Sequence, residues 1–121
     1  MICVYGIRAC DTCRKALKWL EANDVEHRFH DLRSDGLDAQ RVHDWLDSPF
    51  ADKLVNRRST TWRGLDEHER AAAGAALTEL LVKHPTLVKR PVFCAGGAAG
   101  ETVIAVGFDP AALGSQLSSD Q

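Results

Sequence analysis

No apolar run in the chain approaches the roughly 18 to 20 residues that a membrane-spanning helix needs. The opening residues, MICVYGIR, are too few and become polar too soon to form a secretory signal peptide. Positive charge is not in excess either, since the formal net charge of −2 gives no general attraction to nucleic acids or anionic membranes. These absences predict a cytoplasmic protein that works without a membrane.

The sequence also lacks the spacing of a metal site. Its five histidines are scattered, and no second closely spaced ligand pair accompanies Cys10 and Cys13. A four-cysteine zinc site would require Cys3 and Cys94, both in predicted strands, to converge on the loop that carries the other two. We therefore expect no metal ion. The basic run of residues 53–63 holds a single aromatic residue, so no nucleic-acid partner is predicted.

The first part of the chain predicts a strand, a helix and a second strand. The β-branched and aromatic residues from Ile2 to Tyr5 end at Gly6, which is typical of a short strand. Apolar residues recur at helical spacing through residues 14–22, and residues 25–32 have the pattern of a strand. Such a unit within about 30 residues implies two parallel strands joined by a right-handed crossover.

The next part of the chain, residues 34–89, changes to a helical character. One helix is expected over residues 36–47, and a longer one is expected to be capped by Asp66 and to continue to about His84, just before a proline. We therefore predict a helical insert over about residues 34–89.

The last part of the chain predicts two strands and a helix. Residues 91–94 and 102–106 are predicted strands joined by a glycine-rich turn, and Pro110 suits the first position of a final helix. The tail from residue 115 is expected to fray. Without the insert, βαβ followed by ββα is a thioredoxin-like α/β fold, so residues 1–121 are predicted to form one such domain.

Cys10 directly precedes the first predicted helix, for which Asp11 or Thr12 is the expected N-cap. The unpaired N–H groups of a helix N-terminus favour negative charge, so a thiol there loses its proton more readily. Arg8 and Arg14 act in the same direction. This pattern predicts a reactive thiolate at Cys10.

Cys13 follows Cys10 by about one helical turn, so the two sulfurs can approach closely enough for a disulfide. A C-x-x-C beside a βαβ pattern indicates redox chemistry. Because Cys13 belongs to the apolar stripe of the helix, Cys10 is expected to attack and Cys13 to resolve. The plainer alternative is that both thiols have no role. Cys3 and Cys94 are expected to be buried, inert small residues.

These features together resemble the arsenate reductase-like (ArsC) family, which includes the Spx regulators and the YffB-type proteins. The resemblance rests on three sets of segments in this order: residues 4–7 with 10–16, residues 56–63, and residues 84–85 with 89–91. Residues 19–23, 28–31 and 35–38 look especially like the YffB-type branch. The resemblance covers nearly the whole chain and supports the thioredoxin-like fold.

The resemblance implies that Cys10 is the catalytic thiol and that Arg90, before a cis-proline at Pro91, lies beside it. It also implies a second arginine from the insert, for which Arg58 is the best match and Arg57 the neighbouring alternative. Guanidinium groups bind carboxylates and oxyanions with paired donors, so this set suits an anionic ligand.

We expect Arg8, Thr12 and Arg14 to line the same site, where a small anionic or thiol substrate and glutathione would bind. No cofactor is expected to be bound. Glutathione or a thioredoxin-type reductant would serve as co-substrate for a thiol-dependent oxidoreductase.

Two departures from the family pattern bear on the reaction. Arsenate reductases of this family use a third arginine after the last strands, and residues 102–108 contain none. Their histidine four residues before the catalytic cysteine is replaced by Gly6. Arsenate reduction is therefore an alternative to a glutathione-dependent thiol reductase. A second alternative is a Spx-like redox-sensing regulator that binds RNA polymerase.

Overall fold

The structure is a computed structural model that describes residues 1–97 and 100–119. It divides into two compact units. The first combines Met1–Asp35 with Arg90–Gln121, and the second is Gly36–Lys89, which nearly coincides with the predicted insert. The tip of the predicted glycine-rich turn, residues 98–99, and the last two residues of the chain lie outside the described residues.

The elements follow one another in this order: β1 (Ile2–Gly6), α1 (Asp11–Ala22), β2 (His27–Asp31), α2 (Ala39–Leu46), α3 (Thr60–Arg63), α4 (Glu67–Arg70), α5 (Ala75–Lys83), β3 (Val92–Gly97), β4 (Gly100–Val106) and α6 (Pro110–Ser119). Short 3-10 turns lie at Ala51–Lys53 and Pro85–Leu87. No helix in the described ranges is long and apolar enough to cross a membrane.

The strands of the first unit form one sheet in the order β2-β1-β3-β4. β1 pairs in parallel with β2 and antiparallel with β3, and β3 pairs antiparallel with β4. The predicted thioredoxin-like fold is confirmed, including the pairing of the first strand with the strand that follows Pro91. This pairing places the end of β1 beside the start of β3.

One face of this sheet packs against α1 and α6. Val4, Phe93 and Ile104 contribute to this core from the strands, and Leu20 and Leu113 contribute from the helices. Alternate residues of a strand point to opposite faces, so the predicted apolar stripe of the first helix meets every second residue of β1. Burial of this stripe fixes how α1, and therefore the cysteine at its start, is oriented on the sheet.

The second unit contains α2, α3, α4 and α5. Val42, Trp45 and Leu81 are among its buried residues. The Asp38 side chain caps α2 by accepting from the Arg41 backbone N–H. Within this unit, the chain around Val55 also pairs with Val88 in an isolated antiparallel bridge.

Three local predictions were wrong. The single helix expected from Asp66 to His84 is broken into α4 and α5, because Gly74 takes a positive φ of 57° directly before α5. The N-cap of α1 is Cys10 rather than Asp11 or Thr12. The last helix extends to Ser119, past residue 115, from which fraying was expected.

Candidate active site

Cys10 is the N-cap of helix α1, which begins at Asp11. Its backbone is extended, with φ −82° and ψ 123°, and its carbonyl accepts the first helical hydrogen bond from the Arg14 N–H at 3.1 Å. Its own N–H donates to the Ile7 carbonyl at 2.9 Å, which closes the loop after β1. The thiol makes no capping hydrogen bond of standard geometry, so the half-buried sulfur remains available at the start of the helix.

Cys13 and Arg90 surround the Cys10 sulfur with hydrogen-bond donors. Partial burial acts to raise the pKa of Cys10, but the backbone N–H and thiol of Cys13, together with the charge and hydrogen bonding of Arg90, outweigh it. The pKa of Cys10 is therefore lower than that of an ordinary thiol. This is the direction that the sequence predicted, and it favours the nucleophilic thiolate.

Cys13 shows the opposite behaviour. It is completely buried on the inner face of α1. Burial, with the neighbouring negative charge of Cys10, raises the pKa of Cys13 to about 11. At neutral pH, Cys13 therefore keeps its proton and can donate it to the Cys10 thiolate. The two thiols differ in the way expected for an attacking sulfur and a resolving sulfur.

Gly6, the last residue of β1, makes room for the Cys13 sulfur. A Cβ atom at this position would lie 2.5 Å from Cys13 Sγ and 3.4 Å from the ring of Phe29. From the sequence, this glycine indicated only the end of a strand and the replacement of a histidine. The structure gives a physical reason for the replacement, since a larger residue would displace the buried thiol.

Arg90 and Pro91 are joined by a cis peptide bond, as the family resemblance implied. The Nε and Nη1 atoms of Arg90 are buried and have no hydrogen-bond partner among the described residues. Buried N–H groups are normally satisfied, so these two donors are suited to an incoming anion. The same guanidinium acts on the Cys10 sulfur through its charge and hydrogen bonding, so the thiol and Arg90 are neighbours.

Asp31 fixes the loop that leads to Cys10. It is buried at the end of β2, and its carboxylate accepts from the backbone N–H groups of Arg8, Arg33 and Ser34 at 2.8–3.0 Å. Sequence reasoning missed this role. The available signal was an acidic residue at the end of a strand predicted to lie parallel to β1, where its side chain reaches the neighbouring loop.

Arg8, Arg14 and Thr12 are exposed around the same loop. Arg14 Nε donates to the Arg8 carbonyl at 3.0 Å, and its Nη1 lies 3.5 Å from the Asp11 carboxylate. The Arg8 guanidinium lies over the Phe29 ring, 5.8 Å from its centre. Both arginines thus have partners that hold the loop, and their contact with a substrate stays a prediction.

Arg57 and Arg58 belong to the second unit and are exposed there. The Arg57 guanidinium lies 5.6 Å from the centre of the Trp62 ring. The Arg58 N–H donates to the Asn56 side chain at 3.1 Å, in the turn that leads to the Ser59 cap of α3. Their role beside Cys10 stays a prediction.

The described residues contain no group of three or more histidine, cysteine, aspartate or glutamate side chains that could hold a metal ion. The groups that meet at the candidate site are the two thiols and the guanidinium of Arg90. Such a set suits attack on sulfur or on another electrophile that carries negative charge nearby.

Comparison with known proteins agrees with this geometry. An uncharacterised protein of Haemophilus influenzae is 46% identical over 101 residues, which are 82% of this chain and 88% of the relative. The global transcriptional regulator Spx of Listeria innocua is 29% identical over 94 residues, which are 76% of this chain and 72% of the regulator. The solved structure of the YFFB protein has 36% identity and a TM-score of 0.84, covering 97% of this chain and 99% of its own.

The family comparison covers both parts of the candidate site. The model of the ArsC family matches residues 5–115, from β1 into α6. The matched range includes Cys10, Cys13 and the Arg90–Pro91 pair. The chain therefore belongs to the ArsC family.

Proposed function

We propose that the protein is a thiol-disulfide oxidoreductase that uses glutathione as co-substrate, with Cys10 as nucleophile and Cys13 as resolving thiol. The observation that carries this proposal is the opposite displacement of two neighbouring pKa values, lowered for Cys10 and raised to about 11 for Cys13. One sulfur is prepared to attack while the other holds its proton.

In the first step, the Cys10 thiolate attacks one sulfur of a disulfide substrate. A new S–S bond forms to Cys10, the S–S bond of the substrate breaks, and its second sulfur leaves as a thiolate that takes up a proton. Donors placed around Cys10 favour this step because they stabilise the attacking thiolate.

The second step uses the change in charge at Cys10. Part of what raises the pKa of Cys13 is the negative charge of the neighbouring sulfur, and that charge disappears once Cys10 is in a mixed disulfide. Cys13 then loses its proton more readily, attacks Cys10 and releases the product as a second thiol. Two molecules of glutathione reduce the resulting Cys10–Cys13 disulfide and become glutathione disulfide.

Arg90 supplies the binding part of the proposal. Its buried Nε and Nη1 atoms lack partners among the described residues, and a carboxylate can accept from both in a bidentate arrangement. Glutathione carries two carboxylates, so one of them can be held while its sulfur reaches Cys10. Arg58 and Arg57 are proposed to contribute from the second unit.

The test is the reduction of a small mixed disulfide in the presence of glutathione. Turnover is monitored as the consumption of NADPH by added glutathione reductase. We expect the wild-type chain to turn over and Cys10→Ser to lose turnover with an unchanged circular-dichroism spectrum. Cys94→Ala, which removes a thiol outside the site, is the matched control and should retain turnover. Undiminished turnover in Cys10→Ser would refute the assignment.

Arsenate reduction is a second candidate, favoured by the ArsC family match and by the unsatisfied Arg90 donors. A tetrahedral oxyanion can bind the same guanidinium. The absence of an arginine in residues 102–108 weighs against it. Arsenate-dependent NADPH oxidation that phosphate inhibits competitively would support this candidate, and no oxidation at any protein concentration would remove it.

The similarity to Spx favours a regulator as a third candidate. In that case the Cys10–Cys13 pair would control binding to RNA polymerase instead of turning over a substrate. Retention of purified RNA polymerase on the immobilised chain, dependent on the redox state of these cysteines, would distinguish this function from the two enzymatic ones.

A further inference from the structure

A second pair of cysteines lies in the sheet, away from the candidate active site. Cys3 of β1 and Cys94 of β3 are directly opposite each other in the antiparallel pairing. Opposed residues of such a pair point to the same face, with Cα atoms about 4.5 or 5.5 Å apart and Cβ atoms about 4.5–5.5 Å apart. Disulfides span Cα distances of about 4.4–6.8 Å, so a small adjustment would allow a bond.

This pair is separate from the active-site thiols. Ile2 and Val4 belong to the core packed on α1 and α6, so the side chain of Cys3, between them on β1, points to the opposite face of the sheet. Cys13 packs against Gly6 from the α1 side. Cys3 is also near the start of β1, whereas Cys10 follows its end. The proposed oxidoreductase reaction uses neither Cys3 nor Cys94.

Cys3 is the member of the pair that a small molecule can reach. Its side chain is buried, but it lines a cavity of about 250 Å³ together with Arg28 and Glu101. Arg28 Nη2 donates to the Cys3 sulfur at 4.0 Å and lies 3.8 Å from the Glu101 carboxylate. Since Arg28 lines the same cavity, this contact places the Cys3 sulfur on the cavity side.

We propose that Cys3 and Cys94 are a second redox-active dithiol, which hydroperoxides convert to an intramolecular disulfide through the cavity at Cys3. Cys3 attacks one peroxide oxygen, the O–O bond breaks, and Cys3 becomes a sulfenic acid as water or an alcohol leaves. Cys94 then attacks that sulfur, the S–O bond breaks, and the hydroxyl group leaves as water, taking up the Cys94 proton, as the S–S bond forms. The two thiols lose two electrons and two protons, and the hydroperoxide is reduced.

This inference goes beyond the sequence prediction, which treated both residues as inert. Burial of the two side chains is as predicted, with 5% of Cys3 and 1% of Cys94 exposed. What the sequence did not reveal is their direct register and the cavity on one side of the pair. A bond here would join β1 to β3. Cys10 follows β1 along the chain, and Arg90 precedes β3.

The tryptic map of the chain separates the cysteines for a direct test. Cleavage after lysine and arginine, except before proline, leaves Cys3 in residues 1–8, Cys10 and Cys13 in residues 9–14, and Cys94 in residues 90–121. After treatment of the native wild-type chain with hydrogen peroxide and alkylation of the remaining thiols, we expect residues 1–8 to be linked to residues 90–121. A Cys10–Cys13 bond would stay within its own peptide.

A Cys10→Ser/Cys13→Ser variant isolates the second pair, since only two of the four cysteines remain. We expect peroxide to remove both thiols without forming dimers, and dithiothreitol to restore them. The oxidised form should melt at least about 5 °C higher, because the bond closes a long loop in the unfolded chain. The wild-type peptide map gives the same answer if this variant does not fold.

The order of the steps has its own check in that background. With Cys94→Ala added, the Cys3 sulfenic acid has no partner and should be trapped by dimedone, whereas Cys3→Ser should leave Cys94 unmodified. The proposal is overturned if both thiols of the native chain survive peroxide until it is unfolded, or if the linked peptides join Cys3 to the active-site peptide or to a second chain.

Discussion

A Cβ atom on Gly6 would lie 2.5 Å from the sulfur of Cys13. At this distance the two atoms overlap, so the strand or the sulfur would have to move. The glycine at the end of β1 and the buried thiol of α1 are therefore coupled. The histidine that the resemblance implies at this position in the family's arsenate reductases would push against the same sulfur. In this chain, the buried sulfur of Cys13 occupies the space that a side chain at position 6 would need.

Gly6→Ala should destabilise the protein by about 1–3 kcal/mol, since the added methyl group overpacks the contact between strand and helix. Urea denaturation followed by circular dichroism measures this change. The matched comparison is the same substitution in a Cys13→Ala chain, where the sulfur is gone and the cost should largely disappear. An equal cost in both backgrounds would show that the Cys13 sulfur is not the obstacle.

Arg90→Gln should raise the pKa of Cys10, because it removes a positive charge and hydrogen-bond donors from the thiolate. The rate of alkylation by iodoacetamide against pH measures this pKa. The wild-type midpoint is expected below the value of about 8.5 for a free thiol. Lys89→Gln, which changes the exposed neighbouring residue, serves as the control. The assignment fails if Arg90→Gln and Lys89→Gln give the same midpoint.

Asp31→Asn should weaken the fold in a pH-dependent way. Burial acts to raise the pKa of Asp31, but the N–H donors of Arg8, Ser34 and Arg33 outweigh it and hold the pKa below its usual value. The stabilisation is therefore complete above about pH 4, the unfolded value, and is lost as the pH falls through the lower folded value.

At neutral pH we expect Asp31→Asn to lower the free energy of unfolding by about 1–3 kcal/mol, since a charged, buried acceptor of backbone N–H groups is lost. The difference from wild type should narrow below about pH 4. Denaturation at several pH values measures it, with exposed Asp44→Asn as the control. A difference that stays constant down to pH 2 would mean that the charge of Asp31 is not what stabilises the loop.

Asp66→Ala should destabilise α4 in the second unit. The Asp66 side chain accepts from the Glu69 backbone N–H at 2.7 Å, and the Glu69 side chain accepts from the Asp66 N–H at 3.1 Å. Loss of this capping box is expected to cost about 1 kcal/mol, whereas Asp66→Asn keeps an acceptor and should cost less. Thermal unfolding of the two variants tests whether Asp66→Ala lowers the melting temperature more than Asp66→Asn does. If the cap contributed nothing, the two melting temperatures would be equal or in the reverse order.

The parts of this fold that sequence reasoning predicted are those with local signals. Periodicity revealed α1, alternation and β-branched residues revealed β1, and the proline after Arg90 agreed with a family pattern. The missed features depend on contacts between distant residues. Nothing near Gly6 in the sequence indicates that Cys13 will pack against it, and the role of Asp31 depends on how β2 lies beside the loop after β1.

The errors in the helices have the same origin. Asp11 and Thr12 are better capping residues than cysteine by propensity, yet Cys10 is the N-cap and α1 begins at Asp11. Apolar residues continue at helical spacing on both sides of Gly74, which concealed the break before α5. In both places the backbone conformation of a single residue, rather than the pattern around it, sets the boundary.

The pairing of β1 with β3 has a consequence for how the protein is made. Cys10 follows β1, and Arg90 precedes β3, so the two halves of the site leave the ribosome far apart in time. The emerging polypeptide carries a C-x-x-C without its guanidinium neighbour. The part of the lowered Cys10 pKa that is due to Arg90 therefore arises only when the last strands dock on β1.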